Sequence, residues 1–331
     1  MTRRHLRLAL GALWLLDGAL QLQPFMFGRG FAEQIIAPTA AGQPAFVAGP
    51  VHWSAALILA HPLALDLVFA AVQLAIGAGL LFRRTARAAV IASLGWAAGV
   101  WLLGEGLGGL AGGGATLLDG APGAVALFGL LGLAAWPRLV ADWSRAGTHR
   151  SPWRTGRPGR AVAALFAVPS DDERPGRWVP AAWAGLWALF ALLRTLPGND
   201  AAGALAGQLT GDAGSVPHWL FAAQRSIAAA VHHGGVASVA GLCALELAVG
   251  LLALRPGPVR IAAVGTGIAL ALLAWAVGQS FGQITSGMAT DPNAGPLVAL
   301  LGVTVLAARR RAVTVAGAGT AVVPTGRVRV A

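Results

Sequence analysis

The sequence predicts an all-α polytopic membrane protein: eight transmembrane helices in two parallel four-helix repeats, with further helices lying on the exoplasmic interface. Three observations lead there. Of 331 residues, 56% are hydrophobic and 11% charged, where a soluble domain carries about 25% charged residues. The apolar residues gather into eight runs separated by loops that alternate between arginine-rich and arginine-poor. One glycine-rich loop also occurs twice, and a repeat at long period fixes an architecture before any single element is assigned.

The loop GEGLGGLAGGGATLLDGAPG, Gly104 to Gly123, recurs as GQSFGQITSGMATDPNAG, Gly278 to Gly295. The first copy carries Gly104, Gly108, Gly113, Ala115, Thr116, Asp119 and Gly123. The second carries Gly278, Gly282, Gly287, Ala289, Thr290, Asp291 and Gly295. The offset is 174 up to the threonine and 172 after it, so a two-residue indel separates the copies.

The apolar runs lie at about 8–27, 62–82, 88–104, 121–137, 177–197, 236–254, 259–278 and 295–308. A spanning helix needs roughly 20 mostly apolar residues, with about 17 as the short limit. The fourth and eighth runs are the shortest. Backbone groups in lipid must bond within their own segment, so each run is expected to be a helix. The first run, behind TRRHLR, has the look of a signal peptide, but no small-residue cleavage site follows it. It also recurs: LWLLDGALQLQP, Leu13 to Pro24, matches LWALFALLRTLP, Leu186 to Pro197. We therefore expect it to remain as the first helix.

Each long outer loop ends in an amphipathic segment, beginning at Pro50-Val51-His52-Trp53 and at Pro217-His218-Trp219. In the second, Leu220, Ile227 and Val231 share one side while Gln224 and Arg225 lie on another. This pattern fits a helix lying in an interface. Arg3, Arg4, Arg7, Arg83, Arg84, Arg87, the cluster from Arg138 to Arg177, Arg255, Arg260 and Arg309 to Arg311 all fall on one side of the spans. The positive-inside rule puts that side, with both termini, in the cytoplasm, as expected for a multi-pass protein of a bacterial inner membrane. The domains are then a first repeat at 1–137, an Arg/Pro-rich linker at 138–176, a second repeat at 177–311 and a tail at 312–331. Within the linker, Ala161 to Val168 is too short to span, and Asp171, Asp172 and Glu173 form an acidic triplet. Trp136, Trp143, Trp153, Trp178 and Trp183 fall toward the inner interface and Trp53, Trp101, Trp219 and Trp275 toward the outer, as an aromatic belt would place them.

The formal net charge of +11 does not indicate nucleic acid, because the arginines sit between apolar runs. The expected partner is the bilayer. The single cysteine, Cys243, excludes an internal disulfide and a paired-cysteine redox or zinc site.

Polar groups inside spans are expensive and are functional candidates by default. Asp17, Gln73 and Glu246 lie roughly 13–15 Å along their helices from the flanking arginines, near the midplane. Gln73 (QLAIG) and Glu246 (ELAVG) occupy matching positions, whereas Asp17 is matched by Phe190. Glu105, Asp66, Arg194 and Gln279 form a second, outer layer, in which Arg194 is placed to pair with Glu105 or Asp66. The arrangement reads either as a polar vestibule above a midplane carboxylate or as interhelical polar contacts that only fix packing. Gly104-x-Gly106-x-x-Gly109 matches a dinucleotide fingerprint literally but follows a membrane helix instead of a strand, so it lacks the required context. These glycines are read instead as permitting a tight re-entry or as cradling an anion. His52, His61, His218, His232 and His233 gather on the outer side. Imidazole ligates metals, but no tight spacing supports a site, and interfacial histidines are the simpler reading.

QLAIGAGLLFRRTARAAV (Gln73 to Val90) and, more weakly, ELAVGLLALRPGPVRIAAV (Glu246 to Val264) carry a polar residue, spaced glycines and a basic turn before a new apolar helix. In this the repeat resembles the DoxX-like family of four-helix membrane proteins, here in tandem. The resemblance implies a membrane subunit associated with redox systems, including a quinone-reducing thiosulfate-oxidising complex, and a redox protein as partner. It transfers no catalytic residue and names no cofactor. No Ser-His-Asp, Cys-His or assignable carboxylate pair is present, so no stand-alone enzyme is expected. Three functions fit: a non-catalytic redox-associated subunit binding a small or quinone-like ligand near Asp17, Gln73 and Glu246; a proton- or ion-coupled transporter of small solutes; or a structural scaffold docking a partner through the glycine-rich loops.

Overall fold

The computed structural model describes residues 1–136, 174–211 and 216–308. The linker expectations for Arg138, Trp143, Trp153, Ala161 to Val168 and the acidic triplet lie outside these residues, as do those for Arg309 to Arg311 and the tail. Among the described residues every regular element is helical. The helices are α1 (Arg3–Leu20), α2 (Ala45–Ala60), α3 (Pro62–Leu81), α4 (Ala86–Leu103), α5 (Ala124–Ala135), α6 (Val179–Arg194), α7 (Ala202–Thr210), α8 (His218–Leu252), α9 (Pro258–Leu273) and α10 (Ala294–Ala307).

Four segments are long and apolar enough to cross a membrane: Pro62–Leu81, Ala86–Leu103, His218–Leu252 and Pro258–Gly278. They mark the chain as a membrane protein. Four shorter apolar helices are Ala45–Ala60, Ala124–Ala135, Val179–Arg194 and Ala294–Ala307. All eight expected apolar runs are helical over most of their length. The first begins earlier than expected, at Arg3, where Thr2 and His5 form a reciprocal capping box that satisfies otherwise orphaned amides.

Helix contacts close into two rings. In the first, α1 packs on α3, α3 on α4, α4 on α5 and α5 on α1; in the second, α6 packs on α8, α8 on α9, α9 on α10 and α10 on α6. The rings meet where α5 packs on α10. These two short helices are also among the most enclosed, with Leu127, Phe128, Leu131, Leu297, Val298 and Leu301 at 0–1% exposure. The α1–α3 crossing is close because glycines face it. A Cβ on Gly18 would lie 2.7 Å from Leu74, and one on Gly77 would lie 2.8 Å from Leu15. Small residues at such crossings let helix backbones approach, which in lipid replaces the hydrophobic drive for association.

Aromatic residues fill both cores. Trp14 packs on Phe128 in a tilted pair at 4.5 Å and donates from Nε1 to Ser93 Oγ at 2.9 Å, which gives its buried N–H a partner. Trp183 packs on Trp187, and Trp187 on Phe190. Trp183 is fully buried, so it belongs to the core and not to the expected belt. Trp53 and Trp219 are 60% and 65% exposed, as belt residues would be.

The two outer amphipathic segments differ from expectation in extent. α2 starts at Ala45 and holds Pro50 inside it. It packs Val51, Ala55 and Ile58 against a helical turn at Phe31–Ala40 that the sequence pattern did not reveal. The segment from His218 runs directly into the following apolar helix, bending at Gly235 (φ 57°, ψ −139°). α7, also unexpected, packs Leu209 against Ala228 on the first part of α8.

The glycine-rich loops share an uncommon backbone. Leu107, Gly108 and Gly109 have φ of 57°, 63° and 75°, and Ser280, Phe281, Gly282 and Gln283 have φ of 48°, 57°, 67° and 50°. In each loop the indole of the preceding tryptophan donates to a proline carbonyl: Trp101 to Pro122 at 2.7 Å and Trp275 to Pro292 at 2.8 Å. These two tryptophans therefore pin loops, where a belt position was expected. Gly108 is the tightest point, since a Cβ there would stand 2.0 Å from the Pro122 carbonyl oxygen. Left-handed backbone alone costs a non-glycine residue roughly 1–2 kcal/mol, and the collision adds to it. We expect Gly108→Ala to destabilise the protein by about 2–4 kcal/mol. Gly114→Ala, with open space around its Cβ, should stay near wild type; thermal unfolding in detergent compares the two.

Candidate functional site

The polar side chains within the helices separate into two groups, one in each ring. In the second ring Arg194, at the end of α6, and Glu246, on α8, form a buried ion pair. Arg194 Nη2 donates to Glu246 Oε1 at 3.1 Å, and Nε lies 3.3–3.4 Å from both carboxylate oxygens. Both side chains are 2% exposed. Arg194 was expected to meet Glu105 or Asp66. It meets Glu246 because α6 packs on α8 within its own ring, and Glu105 and Asp66 belong to the other. Glu246 is therefore neutralised by a structural partner. Phe190, at the position matching Asp17, is buried against Trp187.

In the first ring the same offset of 173 residues that relates Gln73 to Glu246 relates Gln21 to Arg194. Gln21 does not reach Gln73. Its Nε2 donates to Asp66 Oδ1, leaving Gln73 Oε1 without a partner. Asp17 Oδ1 is likewise buried and unpartnered. Asp17 is 1% exposed and Gln73 9%.

Both residues line a partly open cavity of about 380 Å³ bounded by α1, the Phe31–Ala40 turn, α2, α3 and α4. Its walls are mostly aromatic and aliphatic, including Phe31, Trp53, Leu57, Phe69 and Trp96. Its polar end is formed by Asp17, Gln21, Gln73, Glu105, Thr290 and Asp291. Drug-sized ligand sites are about 300–1,000 Å³, mostly apolar, with a few convergent polar groups, and this cavity has that character. Glu105 and Asp291 also line a second, more open cavity of about 570 Å³ with Asp119, Gln43, Asn293 and backbone of Gly108, Gly109 and Gly123. A third, of about 380 Å³, is bounded by Asp119, Gln208, Gln279, Gln283 and Asp291.

Glu105 follows α4 directly and accepts from the Val125 amide at 3.2 Å at the start of α5. Gln279 does the same for α10, accepting from the Gly295 amide at 3.0 Å. Each thus caps the N-terminus of its short helix. Burial and then repulsion from Asp291 push the Glu105 carboxyl up to about 8, against the backbone donors of Val125 and Ala124. Burial also raises Asp291, opposed by its bonds from Thr290 and Asn293.

Asp291 reaches this site from the far half because the glycine-rich loops interlock. Gln279 Nε2 donates to Leu117 O at 2.7 Å, Gln23 Nε2 to Ala289 O at 2.9 Å, and Asn199 Nδ2 to Gly113 O at 2.8 Å. Thr116 Oγ1 lies 2.7 Å from Asp119 Oδ2 and 3.0 Å from Gln208 Oε1. Thr290 Oγ1 donates to Asp291 Oδ2 at 2.8 Å. Gly104, Gly113 and Gly287 shape these loops without contributing polar side chains, while Gly278 and Gly282 press on Leu118 and Pro292.

The structure therefore gathers Asp17, Gln73, Glu105 and Asp291, joins Asp119 and Gln279 to them through the neighbouring cavities, and leaves Glu246 and Arg194 apart. The sequence reading missed Gln21, Gln23, Asn199 and Gln208. The signal available was amide side chains in or beside apolar runs. His52, His61, His218, His232 and His233 are all exposed, and no group of three metal-ligating side chains stands together among the described residues. Cys243 Sγ is 3.6 Å from the Ala191 carbonyl oxygen, a packing contact. No protein-family model, curated protein or solved structure matches this chain.

Two outcomes test these assignments. Removing one partner of a buried ion pair costs about 3–5 kcal/mol, whereas replacing both with apolar residues is often neutral. Glu246→Gln should therefore destabilise the protein strongly and Arg194→Met/Glu246→Leu should recover most of the loss, as read by thermal unfolding. For Glu105, the folded state holds its proton more tightly than the unfolded chain. The associated stability is complete at acidic pH and is lost as pH rises from 4.5 through about 8. Glu105→Gln should flatten the fall in melting temperature across that window.

Proposed function

We propose that this protein is an eight-span membrane protein of two parallel four-helix repeats whose first repeat binds a small lipid-soluble molecule. Parallel repeats with both termini cytoplasmic follow from the arginine distribution. The matched ring order, the shared loop backbone and the paired tryptophan–proline contacts support duplication. In this arrangement α5 and α10 are too short to cross alone.

The observation that carries the ligand assignment is the cavity in the first ring: aromatic walls closing on buried, unpartnered Asp17 and Gln73 oxygens. An isolated buried acceptor is costly, and a ligand donor relieves it. The DoxX-like resemblance fits within this proposal as a non-catalytic subunit that holds such a molecule for a redox partner. Its two marker segments are both helix, basic turn and helix. Thr85 Oγ1 donates to Gly79 O at 2.7 Å in one turn, and Arg260 Nε to Ala253 O at 2.8 Å in the other.

Native mass spectrometry with an absorption spectrum, on gently solubilised protein, tests the reading. A co-purified lipid-soluble molecule is expected, and Gly99→Trp, which projects a ring into the cavity, should lose it. An empty protein, or equal occupancy in the variant, would sink the proposal. A second reading, transport, is favoured by one observation: Glu105 and Asp291 line both the inner cavity and the open vestibule. It requires that Asp17→Asn abolish solute or proton flux in vesicles while the fold persists.

A further inference from the structure

The three cavities at this end of the protein are one-sided in charge. Asp17, Glu105 and Asp291 line the inner one, and Asp119 with Glu105 and Asp291 lines the vestibule. Among the described residues no arginine or histidine lines any of the three, in a chain with 24 basic residues and a formal net charge of +11. The acidic groups come from separate elements: α1, the loop before α5 and the loop before α10. Among the described residues Asp17, Glu105 and Asp291 have no basic partner there, in contrast to Glu246, which pairs with Arg194.

A second observation is independent of the acidic cluster. Gln73 Oε1 and Asp17 Oδ1 are buried without a hydrogen-bond partner, and both residues line the inner cavity. The polar end therefore holds two acceptors that nothing among the described residues satisfies. A bare metal ion does not account for them, because no three ligating side chains converge among the described residues. A diffuse cation on a bulky apolar body does. Its charge needs no tight coordination, and its body matches walls that include Phe69, Trp96 and Leu57. Aromatic faces also attract cations directly, by about 0.5–2 kcal/mol.

We infer that the cavity of the first repeat is a site for an amphiphilic organic cation, whose charge rests against Asp17, Glu105 and Asp291 and whose apolar body lies between α2, α3 and α4. The inference rests on the reading of this cavity as a ligand site and names the ligand's class. It also implies competition with protons. Asp17 from α1, Gln73 from α3 and Asp291 from the loop before α10 share the inner cavity with Glu105, and Asp119 shares the vestibule with it. A bound cation favours the ionised carboxyls, so binding should release protons and tighten as pH rises.

The test uses the full chain in lipid nanodiscs and two probes of nearly the same shape and opposite charge, tetraphenylphosphonium and tetraphenylborate, with neutral triphenylmethanol as the third. Saturable binding is measured by equilibrium dialysis. The phosphonium should bind at least about tenfold more tightly than the borate, equivalent to ~1.4 kcal/mol. Asp17→Asn should weaken it by about tenfold or more and leave triphenylmethanol binding in place, which certifies the fold. Glu105→Gln serves as the second variant and should reduce the tightening between about pH 6 and 9. Equal binding of all three probes would overturn the cation assignment while leaving the ligand site standing. Phosphonium binding indifferent to both substitutions would overturn it as well. Absence of saturable binding by every probe would defeat the inference and the ligand-site reading together.

Discussion

The amide bonds that tie each glycine-rich loop to the opposite half hold the position of nearly everything at the polar end of this protein. Gln279 and Asn199 from the second half grip the first loop at Leu117 and Gly113, and Gln23 from the first half grips the second loop at Ala289. These are buried or part-buried contacts to backbone carbonyls, which would otherwise be left without water or a partner. Because the loops lead into α5 and α10, the same bonds register the two short helices against each other. They also carry Asp291 across the boundary, so that the cavity of one half is completed by a residue of the other.

The loops can interlock only because their backbone enters conformations closed to most side chains. Gly108 lies against the Pro122 carbonyl, and Gly278 against Leu118. Leu107, Ser280, Phe281, Gln283 and Asn293 share the left-handed region without the benefit of being glycine. Strain of this kind persists where surrounding contacts over-determine it and concentrates at functional sites. Here the tryptophan–proline bonds and the crossing amides supply those contacts.

The two rings have solved the same problem in opposite ways. In the second, Arg194 and Glu246 form an ion pair and Phe190 packs beside Trp187. In the first, glutamines stand at the Arg194 and Glu246 positions and an aspartate at the Phe190 position. Gln21 turns to Asp66, Gln73 and Asp17 keep unpartnered oxygens, and a cavity remains. One ring pairs its buried charges with each other, and the other keeps Asp17 and Gln73 acceptors without a partner among the described residues.

The helical class, the position of the eight apolar runs and the recurrence of the glycine-rich loop were determined by sequence, because hydrophobic run length and glycine spacing are local properties. Gln73, Glu246 and Asp17 could be picked out for a similar reason: a polar residue is conspicuous in an apolar run. Their partners were not legible. Arg194 finds Glu246 instead of Glu105, Trp183 enters the core instead of the interface, and Asp291 joins a cavity built by the opposite half. Each outcome depends on which helices pack together and which way a side chain faces. Linear spacing gives depth along a helix but neither rotation about it nor its neighbour, so only the tertiary structure decided which acids stand neutralised and which stand open.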